Sequence, residues 1–115
     1  MSDPVDDEDV FYIKQGDLEP PLFIAVGGVD GDLSGVADWE VVGYDDDGEL
    51  FRDTGAQFIA GATPQVGSVK HVWAAGETDN LGSMYVEVSA IWPGDRRQTF
   101  PPRNHCRVVV SKHLP

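Results

Sequence analysis

Apolar and polar residues alternate along this chain in short runs, and the runs are repeatedly cut by turn residues. Val10-Phe11-Tyr12-Ile13-Lys14 is rich in β-formers and closes at Gln15-Gly16-Asp17. Pro20 and Pro21 break the pattern, as proline does in edge strands. Leu22–Val26 resumes it, with Leu22, Ile24 and Val26 on one face. Gly27 to Asp32 is a glycine-aspartate loop, and Asp32-Leu33-Ser34-Gly35 reads as one helical turn. Trp39–Tyr44 follows as a strand in which Trp39 and Val41 alternate with Glu40, and Asp45-Asp46-Asp47-Gly48 is a hairpin turn. Glu49–Arg52, Gln57–Ala60, Ser68–Ala74, Ser83–Trp92, Arg97–Phe100 and His105–Ser111 complete the predicted strands. No segment holds helical period for the length of an ordinary helix, and thirteen glycines with eight prolines keep every piece short. Short strands separated by turns predict an all-β, mostly antiparallel sandwich or barrel. Its core is expected to include Trp73, Tyr85, Val88, Cys106, Val108 and Val110.

Composition narrows this picture. With 115 residues, 41% of them hydrophobic, the chain amounts to one compact domain able to fold without disulfides or metal. Cys106 is the only cysteine, so no internal disulfide is available. No apolar run approaches the length that spans a bilayer, and no basic stretch leading into an apolar one opens the chain. The expectation is a soluble protein without an export signal.

Charge is distributed unevenly. Residues 1–53 hold sixteen acidic residues against Lys14 and Arg52, a net of −14, while residues 54–115 hold four against six basic ones, a net of +2. The total of −12 argues against DNA as a partner, because phosphate neutralisation needs lysine and arginine. Solubility explains most acidic faces; a basic partner surface, or the basic half of a neighbouring copy, is the functional rival. Residues 1–10 form an acidic N-terminal arm whose composition alone favours disorder, ahead of a single domain over residues 11–115. The arm is expected to lie across a neighbouring subunit or partner, with Val5, Asp6, Asp7, Glu8, Asp9 and Val10 as its partner-binding residues. Charged contacts of this kind weaken in salt, whereas contacts through an edge strand or through Phe11, Phe23 and Phe51 would survive it.

Candidate chemistry adds little. His71, His105 and His113 stand at no metal-ligand spacing, and adjacent His105 and Cys106 point to opposite faces of a strand. An EF-hand register with Gly48 at the sixth position puts Gly43 first and Thr54 twelfth, neither of them the acid the loop needs. The sequence pairs no two carboxylates in a pocket and contains no nucleophile elbow, P-loop or dinucleotide fingerprint. No catalytic residue, metal or cofactor is expected. Trp39, Trp73 and Trp92 each fall in a predicted strand, where core packing is the default and an exposed sugar-binding platform the rival.

Four segments in order resemble the N-terminal domain of the baseplate upper proteins of tailed bacteriophages. They are Lys14-Gln15-Gly16-Asp17, Asp32-Leu33-Ser34-Gly35-Val36, the stretch from Trp73 through Gly76-Glu77-Thr78-Asp79 and Gly82 to Tyr85 and Glu87, and Thr99-Phe100-Pro101. Together they span about residues 11–111. The resemblance implies an antiparallel immunoglobulin-like β-sandwich, an attachment module of the virion with no catalytic residues. Its partners would be other phage virion proteins, capsid or tail subunits, contacted in multiple symmetric copies, with neither nucleic acid nor membrane involved. Those relatives continue into a linker and helical region, which the present sequence lacks after Pro115, so the expectation is an accessory piece on the capsid, tail or baseplate. It would be assembled in the host cytoplasm and reside in the virion. A carbohydrate- or host-surface-binding sandwich using exposed aromatics is the alternative, and a small hydrolase a third.

Overall fold

The computed structural model describes residues 9–27, 33–100 and 106–113. These residues form an immunoglobulin-like β-sandwich, with nine strands among them: β1 (Asp9–Lys14), β2 (Leu22–Gly27), β3 (Asp38–Asp45), β4 (Gly48–Asp53), β5 (Gln57–Ala60), β6 (Val66–His71), β7 (Gly82–Trp92), β8 (Arg96–Phe100) and β9 (Cys106–Ser111). A 3-10 turn, Leu33–Gly35, sits where the sequence predicts one helical turn. The larger sheet runs β1-β9-β7-β3-β4, with β8 pairing the far half of β7, and the smaller one runs β2-β6-β5. Pairing is antiparallel except between β1 and β9, which run parallel from Asp9 beside Cys106 to Lys14 beside Ser111.

Side-chain parity builds the core. Leu22, Ile24, Val26 and Val69 from the small sheet meet Val41, Val86, Val88, Val108 and Val110 from the large one, all nearly inaccessible to water. Each such aliphatic side chain contributes about 1.5–3 kcal/mol by leaving water. Trp39 of β3 stacks on Phe58 of the edge strand β5, ring centroids 4.9 Å apart, which joins the two sheets. The β3–β4 hairpin forms where predicted, with Gly48 at φ 129° and the Asp45 carboxylate accepting the Asp47 amide at 2.8 Å. That bond makes the acidic tripeptide an ordinary turn.

Three expectations need correction. Tyr85 is only half-buried, because β7 is regular and places Met84, Val86 and Val88 inward, which sends Tyr85 and Glu87 to the outer face. β6 ends at His71, three residues short of Ala74; Trp73 still reaches the core from the following loop, its indole N–H donating to the Pro20 carbonyl at 3.1 Å. Phe51 is buried against His71 and Trp73, so it presents no surface to a partner.

Of the arm residues, Val5, Asp6, Asp7 and Glu8 lie outside the described residues. Asp9 and Val10 open β1 and pair with Cys106 and Arg107, so the sheet begins two residues before the boundary read from sequence.

Candidate functional site

The structure assembles one polar cluster that sequence spacing did not reveal. Alternation along β6 turns Val69 and His71 inward, and His71 is the only one of the two with polar atoms to satisfy. Its Nδ1 lies 2.8 Å from Oδ2 of Asp53, the last residue of β4, and its Nε2 lies 2.8 Å from Oε1 of Glu77 in the loop before β7. The ring is 2% exposed, stacked on Phe51 at 4.6 Å and met edge-on by Trp73 at 5.0 Å. Glu77 Oε1 also accepts the Ala74 amide at 2.8 Å, and Asp53 Oδ1 accepts the Gly55 amide at 2.9 Å. An ionised carboxylate only accepts, so both ring contacts are hydrogen bonds when each ring nitrogen carries a hydrogen.

An open cleft of about 480 Å³ lies over this cluster, with Arg52, Gln57 and Lys70 on its walls. An aspartate-histidine pair can activate a nucleophile when the second ring nitrogen faces a hydroxyl or thiol. Here that nitrogen faces Glu77, and the cleft lining contains no serine, threonine, cysteine or tyrosine. The carboxylates stand on opposite sides of the ring and do not converge on a common point, and no group of three metal-ligating side chains is found among the described residues. The arrangement ties the small sheet to the end of β4 and to the loop before β7.

A second cluster joins two of the segments that carry the family resemblance. Gln15 donates its side-chain amide to the Asp79 carbonyl at 2.7 Å, the Gly16 amide donates to the Thr78 carbonyl at 3.0 Å, and the Thr78 hydroxyl donates to the Asp17 carbonyl at 2.9 Å. Thr78 is fully buried. The turn after β1 and the turn before β7 are therefore locked together across some sixty residues of chain.

The outer face of the large sheet is also polar and internally paired. Glu40 Oε1 accepts from both Arg52 and Arg97, the latter at 3.0 Å. Hydrogen bonding to Glu49 pushes the Arg52 guanidinium further up from an already high value. Tyr44 donates to Glu87 at 2.8 Å, and burial together with this bond raises its phenol to about 12.

The aromatic residues do not form a platform. Trp39 and Trp73 are buried, and half-buried Trp92 donates its indole N–H to Gln98 at 3.3 Å. The exposed aromatics are Tyr12 on the large sheet and Phe23 on the small one. His71 could have been noticed from sequence as a polar residue at an inward strand position, but its partners lie 18 and 6 residues away on other elements. No family model matches this sequence, and no curated protein matches it.

Proposed function

We propose that this chain is a non-enzymatic structural subunit of a tailed-bacteriophage virion, an accessory piece that docks on repeated capsid, tail or baseplate proteins. The observation that carries this reading is the lock between Gln15-Gly16-Asp17 and Thr78-Asp79. Two segments of the resemblance, distant in sequence, meet in space and serve the architecture. Other polar groups support the same reading: both ring nitrogens of His71 and the Oε1 atoms of Glu40 and Glu77 are engaged in tying strands together. The acidic first half of the chain supplies the charge by which residues preceding β1 would reach a basic surface on a neighbour.

The test is a phage in which the gene is deleted. The particle is expected to assemble yet break at lower temperature, or adsorb less well, than the parent. Complementation with a protein lacking residues 1–8 is expected to supply a folded domain that incorporates poorly, since β1 starts at Asp9. Deleted particles identical to the parent in stability and adsorption, or turnover of a substrate by the purified protein, would overturn the proposal.

A further inference from the structure

The cleft over His71 lies between the chain leaving β4 and the chain leaving β6. Its deepest groups are held in place. His71 bonds Asp53 on one side and Glu77 on the other, and each carboxylate also accepts a loop amide. These bonds take two acceptor sites on each carboxylate, of about four that the group offers. Both side chains remain reachable from the cleft, Asp53 26% exposed and Glu77 17%. Gln57 and Lys70 stand side by side on the walls as cross-strand partners. The Lys70 ammonium lies 5.9 Å from the centroid of the Phe23 ring, a contact with the ring face that leaves its N–H groups able to donate. Arg52 is committed to Glu40 and Glu49.

We propose that this cleft is a binding site for a neutral saccharide. Hydrogen-bonding capacity selects the ligand. Asp53 and Glu77 can only accept when ionised, Lys70 can only donate, and the Gln57 amide does both. A hydroxyl also does both, so a molecule carrying several of them satisfies every kind of group in the lining at once. Charge points the same way. A simple anion meets Asp53 and Glu77, and a simple cation meets Lys70 and Arg52, so the lining favours an uncharged ligand over either. Spacing excludes a single-point ligand: the two carboxylates stand on opposite sides of the His71 ring, and a sugar ring presents hydroxyls at separated points.

The volume of about 480 Å³ suits a small molecule of this class. Val72, 56% exposed, and Ala74 give the C–H face of a sugar something apolar to cover. His71 gives the site its preorganisation: both acceptors are already fixed, so little ordering remains to oppose binding. The lining contains no aromatic ring on which a sugar could stack, which keeps the affinity modest. The site goes beyond the virion reading and does not rest on it.

Amide chemical shifts of the isotope-labelled chain, titrated with the methyl glycosides of glucose, galactose, mannose and N-acetylglucosamine, test it. At least one glycoside is expected to bind with Kd on the order of 1 mM, as its size allows. The shifts are expected to centre on Gly55, Gln57, Lys70, Val72 and Glu77. Gln57→Ala and Lys70→Met are each expected to weaken binding by about threefold to tenfold, the worth of one hydrogen bond. Tyr12→Ala, on the large sheet, is expected to leave it unchanged. The spectrum of each variant reports its folding, and the shift map of the parent decides the matter if a variant unfolds. Phosphate and methylammonium are titrated in parallel. Absence of these shifts with every glycoside at about a hundredfold above the expected Kd would overturn the site. So would tighter binding of phosphate or methylammonium than of every glycoside, or unchanged affinity in both cleft variants. Such a failure is separate from that of the virion reading, which falls only with the behaviour of the particle.

Discussion

Gln15 and Asp79 are joined by a 2.7 Å hydrogen bond from side-chain amide to backbone carbonyl, although 64 residues separate them. The bond belongs to a set of three, two of which are made by Thr78, a residue fully shielded from solvent. Burial decides their relative weight, since an exposed bond exchanges readily with water while a buried carbonyl left without a donor bears its full desolvation cost. Thr78→Val keeps the shape and removes the donor to Asp17. It is expected to lower unfolding free energy by about 1–2 kcal/mol, whereas Gln15→Ala costs less than about 1 kcal/mol. Urea denaturation with an unchanged m-value checks both. The reverse ranking would mean that the lock is held from its exposed side.

His71→Ala is expected to cost about 2–4 kcal/mol, combining a cavity beneath Phe51 and Trp73 with two carboxylates deprived of their shared donor. Urea unfolding measures it. A loss below about 1 kcal/mol would show that the cluster does not tie the sheets together.

Phe51 lies across Gly43, its partner residue on β3, so closely that a Cβ on Gly43 would fall 2.1 Å from Phe51 Cε2. Gly43→Ala is therefore expected to destabilise by about 1–3 kcal/mol through overpacking. The double variant Gly43→Ala, Phe51→Leu is expected to be more stable than the sum of its single changes implies. Strict additivity in the unfolding curves would contradict the contact.

Much of this architecture is legible in the sequence, because its determinants are local. Period-two alternation placed Leu22, Ile24 and Val26 inward, and Asp45 to Gly48 announced a turn. Tyr85 and Val88 could not both be core residues of one regular strand, and parity favoured Val88. What stayed hidden is what depends on distant pairing: the parallel register of β1 on β9, and the meeting of His71 with Asp53 across the two sheets. Strand pattern carries no information about which strands become neighbours, so a polar residue on an inward face cannot be assigned its partners. The tryptophans were readable as core from their strand positions, yet Trp73 is buried from a loop, held by the Pro20 carbonyl.

Tyr44 gives the fold an alkaline signature. Its phenol titrates at about 12, above the ordinary value of 10.0, because burial and the bond to Glu87 disfavour the charged form. A folded value above the unfolded one gives a contribution that is complete below pH 10.0 and lost as pH rises through about 12. Tyr44→Phe is expected to remove this part of the alkaline loss of stability, and to delete the latest-titrating phenol from an ultraviolet titration of the native protein. An unchanged titration curve at its alkaline end would contradict the assignment.

The central claim concerns where the protein resides. Quantitative mass spectrometry of phage particles purified from cells that express this chain tests it most directly. The account predicts that the chain is present at a fixed copy number relative to the major capsid and tail proteins, and that it stays with the particle through density-gradient purification. A chain abundant in the infected-cell lysate and absent from purified particles would contradict it.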